Sequence, residues 1–164
     1  KNLKSLDLTE NKISVLPSQI GALTNLESLE LGDNQLKVLP VEIGALKKLQ
    51  RLFLTRNQLE ALPLEIGALK NLQLLYLDHN RLQTLPLSIG TFKNLKNMSL
   101  YGNNRLLPAS VLNTFQGFPK PIDISTEEYE SDLGKEESRL LLILDKKVAE
   151  TREIGELRRL RSKE

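Results

Sequence analysis

One pattern, L-x-x-L-x-L-x-x-N-x-L, organises about the first two-thirds of this 164-residue chain. The same frame opens five times at a constant step of 23 residues, at Leu3, Leu26, Leu49, Leu72 and Leu95. A fixed period of about 20 to 50 residues is typical of a solenoid, in which each unit packs only against its neighbours. The period therefore predicts a stack of short, similar coils.

Each unit predicts one strand and one return segment. In the second unit, Leu29 and Leu31 alternate with polar or small residues, which indicates a strand with one buried face. Pro40 follows, and because proline has no amide hydrogen to donate, this part cannot be a central strand. Ile43 and Leu46 lie three residues apart and share one face of a short helical or 3₁₀ turn. We expect this turn to face the core from the convex side.

Two polar or small residues also recur once per unit. An asparagine follows each strand, where the chain turns inward: Asn11, Asn34, Asn57, Asn80 and Asn103. An amide side chain both donates and accepts, so we expect these asparagines to form a structural ladder that pairs the turns of adjacent coils. A glycine recurs at Gly21, Gly44, Gly67 and Gly90. Such a column predicts either a positive φ or a close approach of the next coil.

These residues resemble the leucine-rich-repeat family. The closer match is its 23-residue class, with the consensus LPxxIGxLxxLxxLxLxxNxL, which residues 16–36 carry and later units repeat. Similar arrays occur in secreted or surface proteins of leptospiral-type spirochaetes, and eukaryotic Ras-binding scaffolds use a related repeat. The resemblance implies an α/β fold, a curved horseshoe-like solenoid with a parallel sheet on its concave side. It also implies a role in protein binding.

The chain divides into three segments by pattern. Residues 1–108 hold the five repeats, residues 109–125 form an irregular terminal repeat, and residues 126–164 form a helical C-terminal segment. Alternation at Ile122 and Ile124 predicts a degenerate sixth strand. The helical segment has three interpretations: a cap on the solenoid, which we favour, a surface that pairs with another chain, or a partly ordered tail.

The outward residues of the strands change from one repeat to the next. Repeats 1 and 2 offer small and acidic side chains, whereas repeats 3 to 5 offer aromatic residues and an arginine. Aromatic residues and arginine dominate binding hot spots, and large apolar side chains are unfavourable in water without a partner. We therefore expect a partner-binding surface at Arg51, Phe53, Leu74, Tyr76, Asp78 and Tyr101. Phe53 and Tyr76 should touch; the alternative is that the aromatics serve only the packing of neighbouring strands.

Several function classes are disfavoured by composition. The chain has no cysteine, which excludes thiol catalysis and cysteine–zinc sites, and its net charge of +2 is too small to imply nucleic acid. Its longest strongly apolar run, residues 140–144, is too short for a bilayer, which requires about 20 residues. The single histidine, His79, has no recognisable nucleophile or second metal ligand at a suitable spacing. We expect a non-enzymatic protein without cofactor or metal.

The partner class follows from the resemblance rather than from the residues. Bacterial secreted and surface arrays imply a host or extracellular-matrix protein as ligand, and a secreted or cell-surface location. No signal peptide is visible, and the chain opens in mid-pattern, as a mature or trimmed fragment does. The alternative function is structural self-association, as a homodimer, through the C-terminal helix or the N-terminal edge formed by Leu3, Leu6 and Leu8.

Overall fold

Each of the first four repeats folds into a three-residue strand followed by a five-residue 3₁₀ turn. The computed structural model describes residues 2–103 and the backbone of residues 123–125. The strands are β1 (Ser5–Asp7), β2 (Ser28–Glu30), β3 (Arg51–Phe53), β4 (Leu74–Tyr76), β5 (Asn97–Ser99) and β6 (Asp123–Ser125). The 3₁₀ turns are Ser18–Ala22, Val41–Ala45, Leu64–Ala68 and Leu87–Thr91, and a proline precedes each of them.

The strands form one open parallel sheet in chain order, β1 to β6. Residues at the same position of successive repeats lie beside each other on neighbouring strands, as Leu29 does with Leu52 and Leu52 with Leu75. β6 pairs with β5, with Ile124 beside Met98, which confirms the predicted sixth strand. The rest of the predicted terminal repeat and the helical segment at 126–164 lie outside the described residues.

The core is a column of leucine and isoleucine side chains between the sheet and the 3₁₀ turns. Leu29 and Leu31 on the strand side, and Ile43 and Leu46 on the turn side, are all fully buried. Burying one such side chain contributes about 1.5–3 kcal/mol of favourable free energy. Strand alternation and the return turn, both read from the leucine spacing, are thus confirmed, and the fold is a leucine-rich-repeat solenoid.

The recurrent glycines permit a close approach of successive coils. A β-carbon on Gly44 would lie 2.6 Å from the backbone oxygen of Glu65, and one on Gly67 would lie 2.7 Å from that of Ser88. The alternative explanation, a positive φ, is wrong at these glycines. Because backbone atoms and β-carbons, which cannot rotate away, fill the space, a side chain at Gly44 or Gly67 would push two coils apart.

Candidate functional site

The asparagines after the strands are bonded into the backbone of two coils. Asn57 Oδ1 accepts the Leu36 N–H at 3.0 Å, and Asn57 Nδ2 donates to the carbonyls of Leu31 at 2.9 Å and Leu54 at 3.1 Å. Equivalent bonds are made by the buried asparagines Asn34, Asn80 and Asn103. Exposed Asn11 donates only to carbonyls of its own coil. The four buried amides therefore serve the fold, and their donors and acceptors are occupied.

The residue before each asparagine adopts the left-handed backbone conformation. The φ angles are 55° at Glu10, 52° at Asp33, 54° at Arg56 and 51° at His79, and Gly102 follows in the fifth repeat with 72°. This conformation costs a non-glycine residue about 1–2 kcal/mol. The sequence analysis did not predict this column of left-handed residues, because glutamate and arginine show no preference for that conformation. The one available signal was that each of these residues directly precedes a repeated asparagine.

The centre of the outward sheet face is an aromatic platform, formed by Phe53 and Tyr76. These residues are register partners on β3 and β4, and their rings stack with centroids 5.1 Å apart and planes 9° apart, as expected. Both side chains are half-buried, as is Leu74, while Arg51 is exposed. Arg51 Nε donates to Ser28 Oγ at 3.2 Å, which holds the arginine stem across β2. Four of the six predicted partner-binding residues thus lie on two adjacent strands.

The other two predicted residues, Asp78 and Tyr101, belong to a second cluster beyond the strand ends. Asp78 Oδ1 accepts the Tyr101 N–H at 3.0 Å and a hydrogen bond from the Ser99 hydroxyl, and its Oδ2 accepts from the Thr55 hydroxyl at 3.4 Å. This carboxylate therefore ties three consecutive coils together. His79 meets Tyr101 edge to face, with ring centroids 4.7 Å apart.

Gly102 makes room for the histidine of this second cluster. A β-carbon on Gly102 would lie 2.5 Å from His79 Nδ1. A shallow depression of about 390 Å³ opens beside the cluster, lined by Asp33, Thr55, Arg56, Asp78, His79, Ser99 and Tyr101. Arg56 and His79 were not among the six predicted partner-binding residues; they reach the depression because the left-handed backbone directs the residue before the asparagine to this rim.

The first two repeats give the same face an acidic end. Glu30 lies in register beside Phe53 on one side and beside Asp7 on the other. The Thr9 backbone N–H donates to Asp7 Oδ1 at 2.9 Å, and this bond lowers the pKa of the Asp7 carboxyl below its ordinary 3.8. The face therefore changes from anionic to aromatic between β2 and β3.

Neither a metal-binding group of side chains nor a membrane-spanning helix lies in the described part of the chain. Across residues 2–103, no three acidic or histidine side chains come together in a way that could hold a metal ion. No helix in the same part of the chain has the length and apolar character required to cross a bilayer. The aromatic platform, the second cluster and the acidic end are adjoining parts of one outward surface.

Comparisons with known proteins match this architecture. A family profile described as "Leucine rich repeat" matches residues 1–59, and a second profile of the same description matches residues 71–92. A search of curated proteins finds no match.

Three solved structures are similar over most of the chain. A leucine-rich-repeat protein of Leptospira interrogans is 38% identical over 73% of this chain, with a TM-score of 0.66. The plant peptide hormone receptor RGFR1, solved in complex with RGF2, is 38% identical over 74%, with a TM-score of 0.61. The functional domain of InlJ from Listeria monocytogenes is 21% identical over 64%, with a TM-score of 0.53, and this likeness concerns the fold alone. The chain spans only 30%, 20% and 24% of these three proteins.

Proposed function

Because the chain belongs to the leucine-rich-repeat family, whose domains generally mediate protein–protein interaction, we propose that it is a non-catalytic module that binds a protein ligand on its concave sheet. The binding surface is the aromatic platform with the side chains that flank it, Arg51 and Leu74. The rim residues Asp78 and Tyr101 border this surface on the side of the 390 Å³ depression.

The observation that carries this proposal is the half-exposed stack of Phe53 and Tyr76. Aromatic side chains supply large contact area at a low cost in conformational entropy, and they are enriched where partners bury them. Packing between strands explains the contact of the two rings with each other. It does not explain why the largest outward apolar groups of the described sheet lie together rather than scattered along it.

The class of ligand is proposed on similarity. The similarity to a Leptospira interrogans repeat protein supports a bacterial protein. That this protein is secreted or on the cell surface, with a host or extracellular-matrix protein as ligand, is our proposal from the family resemblance. The plant receptor in complex with RGF2 supports the capacity of this architecture to bind a polypeptide. Under this proposal, the chain functions without cofactor or metal.

Capture from serum and host-cell extract tests the proposal. Immobilised wild-type chain is compared with Phe53→Ala/Tyr76→Ala, retained proteins are identified by mass spectrometry, and their affinities are then measured with purified material. We expect a ligand whose affinity falls at least about tenfold in the double variant, because a hot-spot side chain contributes about 2 kcal/mol or more. An unchanged affinity would refute the aromatic platform as the binding surface.

A matched control comes from the opposite side of the coil. Leu64 and Leu87 occupy the same position of successive 3₁₀ turns and are each 68% exposed, so Leu64→Ala/Leu87→Ala removes a similar apolar area away from the sheet. This variant should bind as the wild type does. A loss equal to that of Phe53→Ala/Tyr76→Ala would move the ligand to the other side of the solenoid.

Self-association is the competing function, and light scattering tests it. A molecular mass that rises with concentration towards that of a dimer would support a structural role for a homodimer. A monomer at all concentrations would remove this alternative and leave the binding of a different protein.

A further inference from the structure

Among residues 2–103, Tyr76 is the aromatic partner of Phe53, and no second ring stacks on the other face of Phe53. Its ring lies nearly parallel to that of Tyr76, at 5.1 Å between centroids, so one face of Phe53 is directed at Tyr76. Neighbouring strands are about 4.8 Å apart, which matches this separation, and the stack therefore runs across the strands. The second face of Phe53 is directed towards β2, where the register partner is Glu30.

The carboxylates on that side have no cationic partner in the described part of the chain. Lys4 pairs with Glu27 at 3.0 Å, and Arg56 pairs with Asp33 at 3.6 Å, whereas Glu30 and Asp7 form no ion pair among residues 2–103. Arg51, the nearest cation on β3, donates to Ser28 Oγ and is not paired with Glu30 in the described part of the chain. Two negative charges thus lie on β1 and β2, on the side of Phe53 that faces away from Tyr76.

We infer that this juxtaposition of the Phe53 ring face opposite Tyr76 with the Glu30 and Asp7 carboxylates is an arginine subsite, which binds a guanidinium group of the protein ligand. This inference deepens the proposed function and rests on it. A guanidinium is planar, so it stacks on an aromatic ring while its edge N–H groups donate to carboxylates.

Charge complementarity favours this occupant over an apolar one. An aliphatic side chain on the Phe53 face would remove water from the Glu30 carboxylate without offering a hydrogen bond in return, which is unfavourable. A lysine would satisfy the carboxylate as a point charge but could not stack as a plane. The subsite should therefore rank arginine above lysine, and lysine above a neutral side chain.

The probes are N-acetyl-arginine amide and its neutral isostere N-acetyl-citrulline amide. Each is titrated into the uniformly ¹⁵N-labelled chain while backbone amide shifts are followed by NMR. We expect saturable shifts at Glu30 and Phe53 with the arginine probe, and affinity for the citrulline probe about threefold to tenfold weaker. Equal affinity for the two probes, or shifts confined to other parts of the surface, would overturn the subsite.

Two variants and one matched control separate the contributions of ring and charge. Phe53→Leu keeps an apolar side chain but removes the ring, and should weaken the arginine probe about threefold or more. Glu30→Gln keeps the shape and removes the charge, with an expected loss of about twofold to fivefold. Glu65→Gln removes the same charge from an exposed 3₁₀ turn and should change nothing. Unaltered binding by Phe53→Leu, with a native amide spectrum, would refute the inference.

These results are distinct from those that test the proposed function. If a captured protein depends on Phe53 and Tyr76 while the arginine probe does not bind, only the arginine subsite is wrong. If the arginine probe binds as expected while capture is unchanged in Phe53→Ala/Tyr76→Ala, the site binds a guanidinium, but it is not part of the surface that binds the captured protein, and the proposed function is wrong.

Discussion

Inward and outward side chains of the same strands follow opposite rules. The inward residue at the middle of each strand repeats as leucine or methionine: Leu6, Leu29, Leu52, Leu75 and Met98. The outward residue that follows changes at every step: Asp7, Glu30, Phe53, Tyr76 and Ser99. Both columns share one backbone geometry. The inward positions, which repeat the same residue type every 23 residues, determine how each coil folds. The outward positions are not constrained in this way, so each coil can present different side chains to a partner.

Two adjacent substitutions should show the largest difference. Leu52 is fully buried and points inward, so Leu52→Ala should lower the free energy of unfolding by about 2–5 kcal/mol. Phe53→Ala, one residue on and facing outward, should cost about 1 kcal/mol, because it removes one stacked pair. Urea denaturation followed by circular dichroism measures both. If the two variants lost equal free energy of unfolding, inward and outward residues would contribute equally to stability, which would contradict this prediction.

The asparagine ladder should come next in magnitude. Asn57→Ala leaves the Leu36 N–H without its acceptor, which costs about 1–3 kcal/mol. It also removes one of two bonds to the Leu31 carbonyl, which keeps Asn34 Nδ2 as donor. We expect a total loss of about 2–4 kcal/mol. Asn11→Ala is the control, since exposed Asn11 bonds only within its own coil and should cost under about 1 kcal/mol. Comparable losses in the two variants would mean that the ladder does not join coils.

A smaller effect is expected from two glycines that differ in the space around them. Gly44→Ala would bring a β-carbon within 2.6 Å of the Glu65 backbone oxygen and should cost about 1–3 kcal/mol. At Gly32 the nearest atom would be 3.6 Å away, an ordinary contact, so Gly32→Ala should lie within about 1 kcal/mol of the wild type. Thermal denaturation compares them, and a tolerated Gly44→Ala would show that the coils can separate without loss.

The smallest expected effect is the pH dependence contributed by the outward Asp7. Its pKa is lowered in the folded state by the Thr9 N–H, so its contribution to stability is present above the unfolded value, near pH 4, and is lost as pH falls through the folded pKa. Asp7→Asn should therefore reduce the fall in Tm between pH 6 and pH 3. Glu10→Gln, which removes a neighbouring charge, serves as control. An unchanged pH profile in Asp7→Asn would contradict this linkage.

Much of the fold follows from sequence because its determinants repeat. Leucine alternation determined the strands, the Leu-Pro and Ile-Gly positions located the 3₁₀ turns, and Ile122 and Ile124 indicated β6. The Phe53–Tyr76 contact was also predictable, since residues in one column of a parallel sheet are about one strand spacing apart.

The remainder of the site depends on backbone details that residue type does not encode. Glu10 and Arg56 adopt the left-handed conformation although neither residue favours it, because the following asparagine bonds hold the turn. Asp78 looked like an outward partner residue, but its carboxylate bonds depend on where the next coil presents the Tyr101 N–H. Such contacts join loops of different coils, and the pattern within one repeat does not determine them.

The direction of the asparagine bonds has a consequence for how such arrays change length. Each buried asparagine reaches back to the preceding coil, at the same sequence separations in every repeat. A duplicated block of 23 residues could therefore form the same hydrogen bonds and core contacts with the coils on both sides as the existing repeats do. Gene-level duplication or loss of a unit would keep the architecture and shift every downstream outward residue by one strand. Unequal recombination could thus alter the spacing between the acidic end and the aromatic platform in a single event.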